Sequence, residues 1–153
     1  SIAAPADWDA AKARAVADAG ARRDAIATEA RRRTLGPLRV LRTLDGISRA
    51  LCDVMDPAEL CVAADARHER RDAAARAADD VGEVLEALNA DEALAAAAAE
   101  CAAASATLPT SARRLAVALA DEFAKPLARL ERDATTRERR ASRELEPPLS
   151  AFD

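Results

Sequence analysis

The sequence predicts an all-α protein: a multi-helix array or bundle of about five to seven helices, with no sheet. Three observations carry this. Apolar residues recur three and four apart along nearly the whole chain, and no segment alternates as a strand would. Half the residues are apolar and most of those are alanine, the best helix former. The four Gly and seven Pro fall mostly where helices would start or stop.

The elements follow in order. Pro5 and Asp7 open a first helix that runs to about Arg33 and carries Trp8, Val16 and Ile26 on an alanine-rich surface. Gly20 weakens it by about 1 kcal/mol relative to alanine, which a long helix tolerates. Thr34, Gly36 and Pro37 mark a boundary, with Pro37 suited to a first turn because its missing N–H would be unpaired there anyway. Leu38, Leu41, Leu44, Ile47, Leu51 and Val54 then form the clearest stripe in the chain, and this helix is expected to organise the core. Asp56-Pro57-Ala58-Glu59 reads as a fresh helix start: Asp56 as cap, Pro57 in the first turn, Glu59 reaching back.

A polar stretch from Asp65 to Asp72 leads to a helix bearing Ala74, Ala77, Val81, Val84, Leu85 and Leu88, with Asn89 as its stop. Asp91 is placed to cap a short helix carrying Leu94, Ala98 and Cys101. Ser105 to Pro109 is the best internal loop. Thr110 or Ser111 caps the next helix, with Leu115, Leu119 and Phe123 on one face. Pro126 is expected to break or kink that helix. Leu127 and Leu130 continue the pattern, a charged helix runs to about Leu145, and Pro147-Pro148 ends it. Residues 1–153 are expected to form a single helical domain, and 105–110 is the one place where it would subdivide.

Composition excludes several function classes. The formal net charge of −4 is spread along the chain, and no basic face or stripe marks a nucleic-acid binder. Arg31-Arg32-Arg33 and the basic run from Arg137 to Arg143 read as solvated helix surface. No stretch of about twenty uncharged apolar residues would span a membrane. The first thirty residues are rich in Ala and Arg, but Asp7, Asp9, Asp18, Asp24 and Glu29 make them too acidic for a transit peptide, so any targeting segment is expected to be absent or already removed. A start at Ser1 rather than Met points to a processed form or a fragment.

Chemistry-bearing residues are sparse. His68-Glu69-Arg70-Arg71-Asp72 matches the first two residues of the zinc-peptidase motif His-Glu-x-x-His, in which two histidines one turn apart bind zinc and the glutamate activates its water. Here the fifth residue is Asp72 and the chain has a single His, so an exposed charged helix segment is the preferred reading. Cys52, Cys61 and Cys101 lack Cys-x-x-Cys spacing and read as buried free thiols of a reducing compartment. The four glycines are isolated, so no phosphate loop is present. Asp45 lies beside the apolar stripe and reads as a flank or an interhelical partner rather than a catalytic acid. No catalytic, cofactor-binding or metal-binding residue is therefore assigned, and no small-molecule ligand is expected.

One stretch carries a family resemblance. Leu44-Asp45-Gly46-Ile47-Ser48-Arg49-Ala50-Leu51-Cys52-Asp53-Val54-Met55-Asp56-Pro57-Ala58-Glu59-Leu60-Cys61 resembles the segment "LD-x-IS-x-x-LC-x-V-x-D-x-AEL-C" of mitochondrial intermediate peptidases. In the same order, Ala4-Pro5-Ala6-Asp7-Trp8 is similar to that family's "S-P-x-G-F" opening. Val84 to Asn89 is similar to its "Y-x-x-x-LN", and Ala112 to Phe123 to its "A-R-R-x-A…D-F-E" helix. The chain departs from the pattern at Ala124-Lys125-Pro126-Leu127, where the family has a "GIHL"-like turn, and between Cys61 and Arg71, where it tends to break. Its aromatic residues are also thinned out.

The resemblance implies the first, almost wholly helical portion of a zinc oligopeptidase of the thimet-oligopeptidase class, forming one wall of a substrate channel. The family's zinc site would lie downstream, so no functional residue carries over and no cofactor is expected in this chain. It also implies a mitochondrial location. Two functions follow as expectations. In one, the chain is the non-catalytic N-terminal region of such a peptidase. In the other, it is a peptidase-derived structural subunit of a mitochondrial assembly. Either way its partners are other protein chains or the remainder of a longer precursor. Supply argues for such partners: large apolar side chains contribute about 1.5–3 kcal/mol each when buried and alanine far less, against about 1–2 kcal/mol of backbone entropy per ordered residue. The Trp8 helix and the helix after Pro126, poor in large residues, are the ends expected to lean on a partner.

Overall fold

The computed structural model describes residues 5–32 and 36–126, with side chains described from 7 to 29 and from 36 to 126. Four helices come first: α1 (Pro5–Arg32), α2 (Pro37–Ala64), α3 (His68–Asn89) and α4 (Glu92–Ala103). A 3-10 turn at Ser105–Thr107 leads to α5, helical over residues 110–126. Among the described residues there is no strand, and the protein is all-α.

The apolar stripe of α2 decides the arrangement. Leu41, Leu44, Ile47, Leu51, Val54 and Ala58 are all buried, and α2 contacts α1, α3 and α4. The other helices meet it mainly with alanine. α1 buries Trp8, Ala11, Ala15, Ala19, Ile26 and Ala27, α3 buries Ala73, Ala74, Ala77 and Val81, and α4 buries Leu94, Ala97, Ala98 and Cys101. Small facing residues let helix axes approach toward the short end of the usual range of about 8–10 Å. No polar or charged residue is buried among those described, so the interior they form is apolar.

Several elements differ from the sequence expectation. The helix start at Asp56-Pro57 does not occur, because α2 runs unbroken through Pro57 to Ala64. Proline inside a helix costs about 3 kcal/mol. Pro57 is on the exposed side, and the stripe stays in phase across it, with Val54 and Ala58 buried at 4% and 0% exposure. Burial of that stripe outweighs the local penalty. The break after α2 is also shorter than the polar stretch to Asp72. Asp65 caps α2 by donating its N–H to the Cys61 carbonyl, and its carboxylate accepts the Arg67 N–H at 2.9 Å. This turn frees α3 to start at His68.

Leu38 and Leu115, read as core, lie at the surface. Ala116, fully buried against Leu41, Cys101 and Leu108, takes the inward position of α5 with Phe123. The first backbone bond of α5 runs from the Arg113 N–H to the Pro109 carbonyl, so Pro109 rather than Thr110 or Ser111 holds the cap position. Trp8, expected to lean on a partner, is 4% exposed and belongs to the main core cluster. The single tryptophan thus anchors α1 to the chain's own interior. The expected Asn89 stop and Asp91 cap are both present. Pro126 is the last described residue, and Leu127, Leu130, the basic run to Arg143, the charged helix to Leu145 and Pro147-Pro148 lie outside the described residues, as do the side chains of Arg31 to Arg33.

Polar links pin α1 at two points. Lys12 of α1 reaches Asp80 of α3 at 2.5 Å, and Arg23 reaches Asp91 ahead of α4 at 2.8 Å. Between them Arg22 crosses α2 at Gly46, where a Cβ would lie 2.5 Å from the guanidinium.

Candidate docking surface

His68 opens α3 on the surface, and its Nδ1 sits 2.7 Å from a carboxylate oxygen of Asp72, one turn along the same helix. Both side chains are exposed, and Asp72 occupies the place where a zinc site would need its second histidine. Among the described residues no group of three or more His, Cys, Asp or Glu side chains is arranged to hold a metal.

The three cysteines are free and apart. Cys101 is buried, and its thiol lies 3.5 Å from the Pro37 carbonyl. Cys61 is half-buried, with its thiol 3.9 Å from the Arg70 carbonyl. Burial, with Glu100 beside it, pushes the Cys101 thiol above its ordinary value. Burial, followed by the carboxylates of Asp56, Asp53 and Glu59, does the same at Cys52. A nucleophilic cysteine needs the opposite shift, which a nearby cation or a helix N-terminus supplies. Asp45 is exposed on α2.

The surface that stands out is the seam between α1 and the C-terminal half of α2. Two adjoining concavities lie along it. One is bordered by Trp8, Pro57, Leu60, Cys61, Ala64 and Asp65. The next is bordered by Ala11, Ala15, Ala50, Asp53 and Val54, with Arg14 and Asp18 at its rim. α1 supplies residues spaced three and four apart, and so does α2, because the two helices run side by side in opposite directions. Alanine contributes Ala64 to the first and Ala11, Ala15 and Ala50 to the second, and both are shallow and open to solvent. Leu60 stands at the edge of the seam, 67% exposed, and Val62 on the same helix is 39% exposed.

In the sequence, Leu60 simply follows the Asp56-Pro57-Ala58-Glu59 segment. The signal that separates it is phase. Val54, Ala58 and Cys61 follow the buried stripe, whereas Leu60 falls on the opposite side of the helical wheel.

No protein-family profile, no curated protein and no solved structure matches the chain.

Proposed function

We propose that this chain is a non-catalytic helical region that acts by docking on protein, and that it is the N-terminal helical portion of a peptidase of the mitochondrial intermediate peptidase kind, working in mitochondria. The observation that carries the reading is the position of the peptidase-like segment. Leu44 to Cys61 lies within α2, which packs on α1, α3 and α4, and of its matching apolar residues Leu44, Ile47, Leu51, Val54 and Ala58 are buried while Leu60 is exposed. Residues that specify core packing are those a shared helical scaffold would keep. Leu60, exposed at the edge of the α1–α2 seam, gives the scaffold an apolar point to place against another protein. In this reading the zinc chemistry belongs to a catalytic region elsewhere in a longer polypeptide, and α1 to α5 form part of the wall around it.

The test is the size of the natural polypeptide. An antibody raised to residues 68–89 is expected to detect a mitochondrial band several times larger than the 16.1 kDa of this chain. That band, immunopurified, is expected to cleave an oligopeptide substrate and to lose the activity on zinc chelation. A band near the chain's own mass would turn the assignment toward an accessory subunit. A band in another compartment with no peptidase activity would remove the peptidase reading.

A further inference from the structure

We infer that the corner from Pro57 to Asp72 is a hinged strap over Trp8. Asp56-Pro57 is a second helix start built into α2, and a break there lets the corner swing off the α1 tryptophan while the unbroken helix remains the ground state.

The backbone hydrogen bonds point to the hinge. In an α-helix each N–H donates to the carbonyl four residues back. Pro57 has no N–H, so the Asp53 carbonyl receives no such bond. The next donors along α2, Ala58 and Glu59, serve Val54 and Met55. A break at Asp56 gives up only those bonds, because the Leu60 N–H keeps the Asp56 carbonyl as the first bond of the separated helix. The released Ala58 and Glu59 N–H groups are the ones an N-cap side chain satisfies, and Asp56 is a preferred N-cap residue. Asp56 is exposed, and among the described residues it forms no ion pair that would hold it back.

Packing is thin on the far side of the same point. Before it, α2 is held by Leu41, Leu44, Ile47, Leu51 and Val54, all buried. From Pro57 to Asp72 only Ala58 is buried, and Cys61 is half-buried. The first turn of α3 is exposed at His68, Glu69, Arg71 and Asp72, and no side chain caps it. The bonds of the corner stay inside it: the Asp65 N–H donates to the Cys61 carbonyl, and the Asp65 carboxylate meets Arg67 and Arg70. The corner therefore moves as a body, yielding at Pro57 and at the uncapped start of α3. Trp8 and Ala58 share the main core cluster, Cys61 packs against it, and Trp8 borders one concavity with Leu60, Cys61 and Ala64. Opening uncovers the Trp8 ring and the Cys61 thiol together.

Residue-resolved amide exchange of the full chain tests the hinge. Ala58 and Glu59 are expected to exchange about tenfold or more faster than Cys61 and Val62, which keep their bonds in the open form. Fraying from the end of α2 gives the reverse order and would overturn the inference. Alkylation by a bulky maleimide is the second readout, with Cys61 compared to Cys52, which lies before the hinge. Pro57→Ala restores the missing N–H and is expected to slow Cys61 about tenfold or more relative to Cys52. Asp56→Val has a similar helix propensity but cannot cap, and is expected to slow it about threefold. Asp56→Asn keeps the cap and is expected to change it less than about twofold. Both replaced residues are exposed, and circular dichroism checks that the helices are intact. An inert Pro57→Ala, or equal effects of the two Asp56 variants, would equally sink the hinge. The mass and activity of the natural polypeptide do not bear on these rates, so this inference and the peptidase reading fail separately.

Discussion

The carboxylate of Asp91 is shared between Arg23 and the start of α4. It accepts the backbone N–H groups of Ala93 and Leu94 at 2.9 and 3.0 Å and receives the Arg23 guanidinium at 2.8 Å. One side chain thereby satisfies the first turn of α4 and ties it to α1. Burial by itself pushes this carboxyl up, but the Leu94 N–H, the Arg23 guanidinium and the Ala93 N–H outweigh it, and the group is held below the usual carboxylate range.

A depressed folded pKa fixes the sign of a pH effect. The stabilisation is fully present above the unfolded value of about 3.9 and is lost as pH falls through the folded value. Asp91→Ala is therefore expected to cost about 1 kcal/mol at neutral pH and to flatten the acid limb of the stability profile. Urea melts from about pH 3 to neutrality on both proteins check this. An unchanged acid limb would show that Asp91 contributes nothing to it.

Leu51 and Leu44 are 0% and 2% exposed in the buried stripe of α2. Replacement of either with alanine is expected to cost about 2–5 kcal/mol, enough to unfold a marginal chain. Leu60→Ala, on the same helix but exposed, is expected to stay within about 0.5 kcal/mol. Denaturant midpoints of the three variants would contradict this burial pattern if they moved together.

Trp8 lies within the main core, so Trp8→Phe is expected to lower stability and not merely association. Native emission is expected to be blue-shifted and to move to longer wavelength on unfolding. A solvent-like native spectrum would mean that α1 is not seated as described.

Helix glycines separate into two kinds. A Cβ added at Gly20 or Gly82 meets nothing within 4 Å, so alanine there is expected to stabilise by about 0.5–1 kcal/mol. At Gly46 a Cβ would lie 2.5 Å from the Arg22 guanidinium, which would have to swing away from the Asp18 carboxylate it now meets at 2.9 Å. Gly46→Ala is expected to gain less than the other two. Thermal melts that rank Gly46→Ala first would contradict the close approach of Arg22.

The thiols give a chemical check on burial. Cys101, buried and with its pKa raised by that burial, is expected to resist iodoacetamide in the folded chain and to react once urea is added. Peptide mapping that finds Cys101 alkylated as fast in the native as in the denatured chain would place α4 away from α2.

Helical identity was legible in the sequence because it depends on local preferences. Alanine propensity, the spacing from Leu41 to Val54, the Asn89 stop and the Asp91 cap each act within a few residues, and each fixed its element without help from the rest of the chain. What lay beyond the sequence were the choices in which distant burial competes with a local rule. Asp56-Pro57 carries the chemistry of a helix start, yet the stripe on either side of it is buried by other helices, and the free energy of that burial keeps α2 whole. Alanine faces specify neighbours weakly, so nothing local placed Trp8 in the core, set Ala116 rather than Leu115 inward, or left Leu60 at the edge of an open seam. Those outcomes depend on which helix lies across from which, and only the packed structure brings residues such as Trp8 and Leu60, or Arg23 and Asp91, to one place.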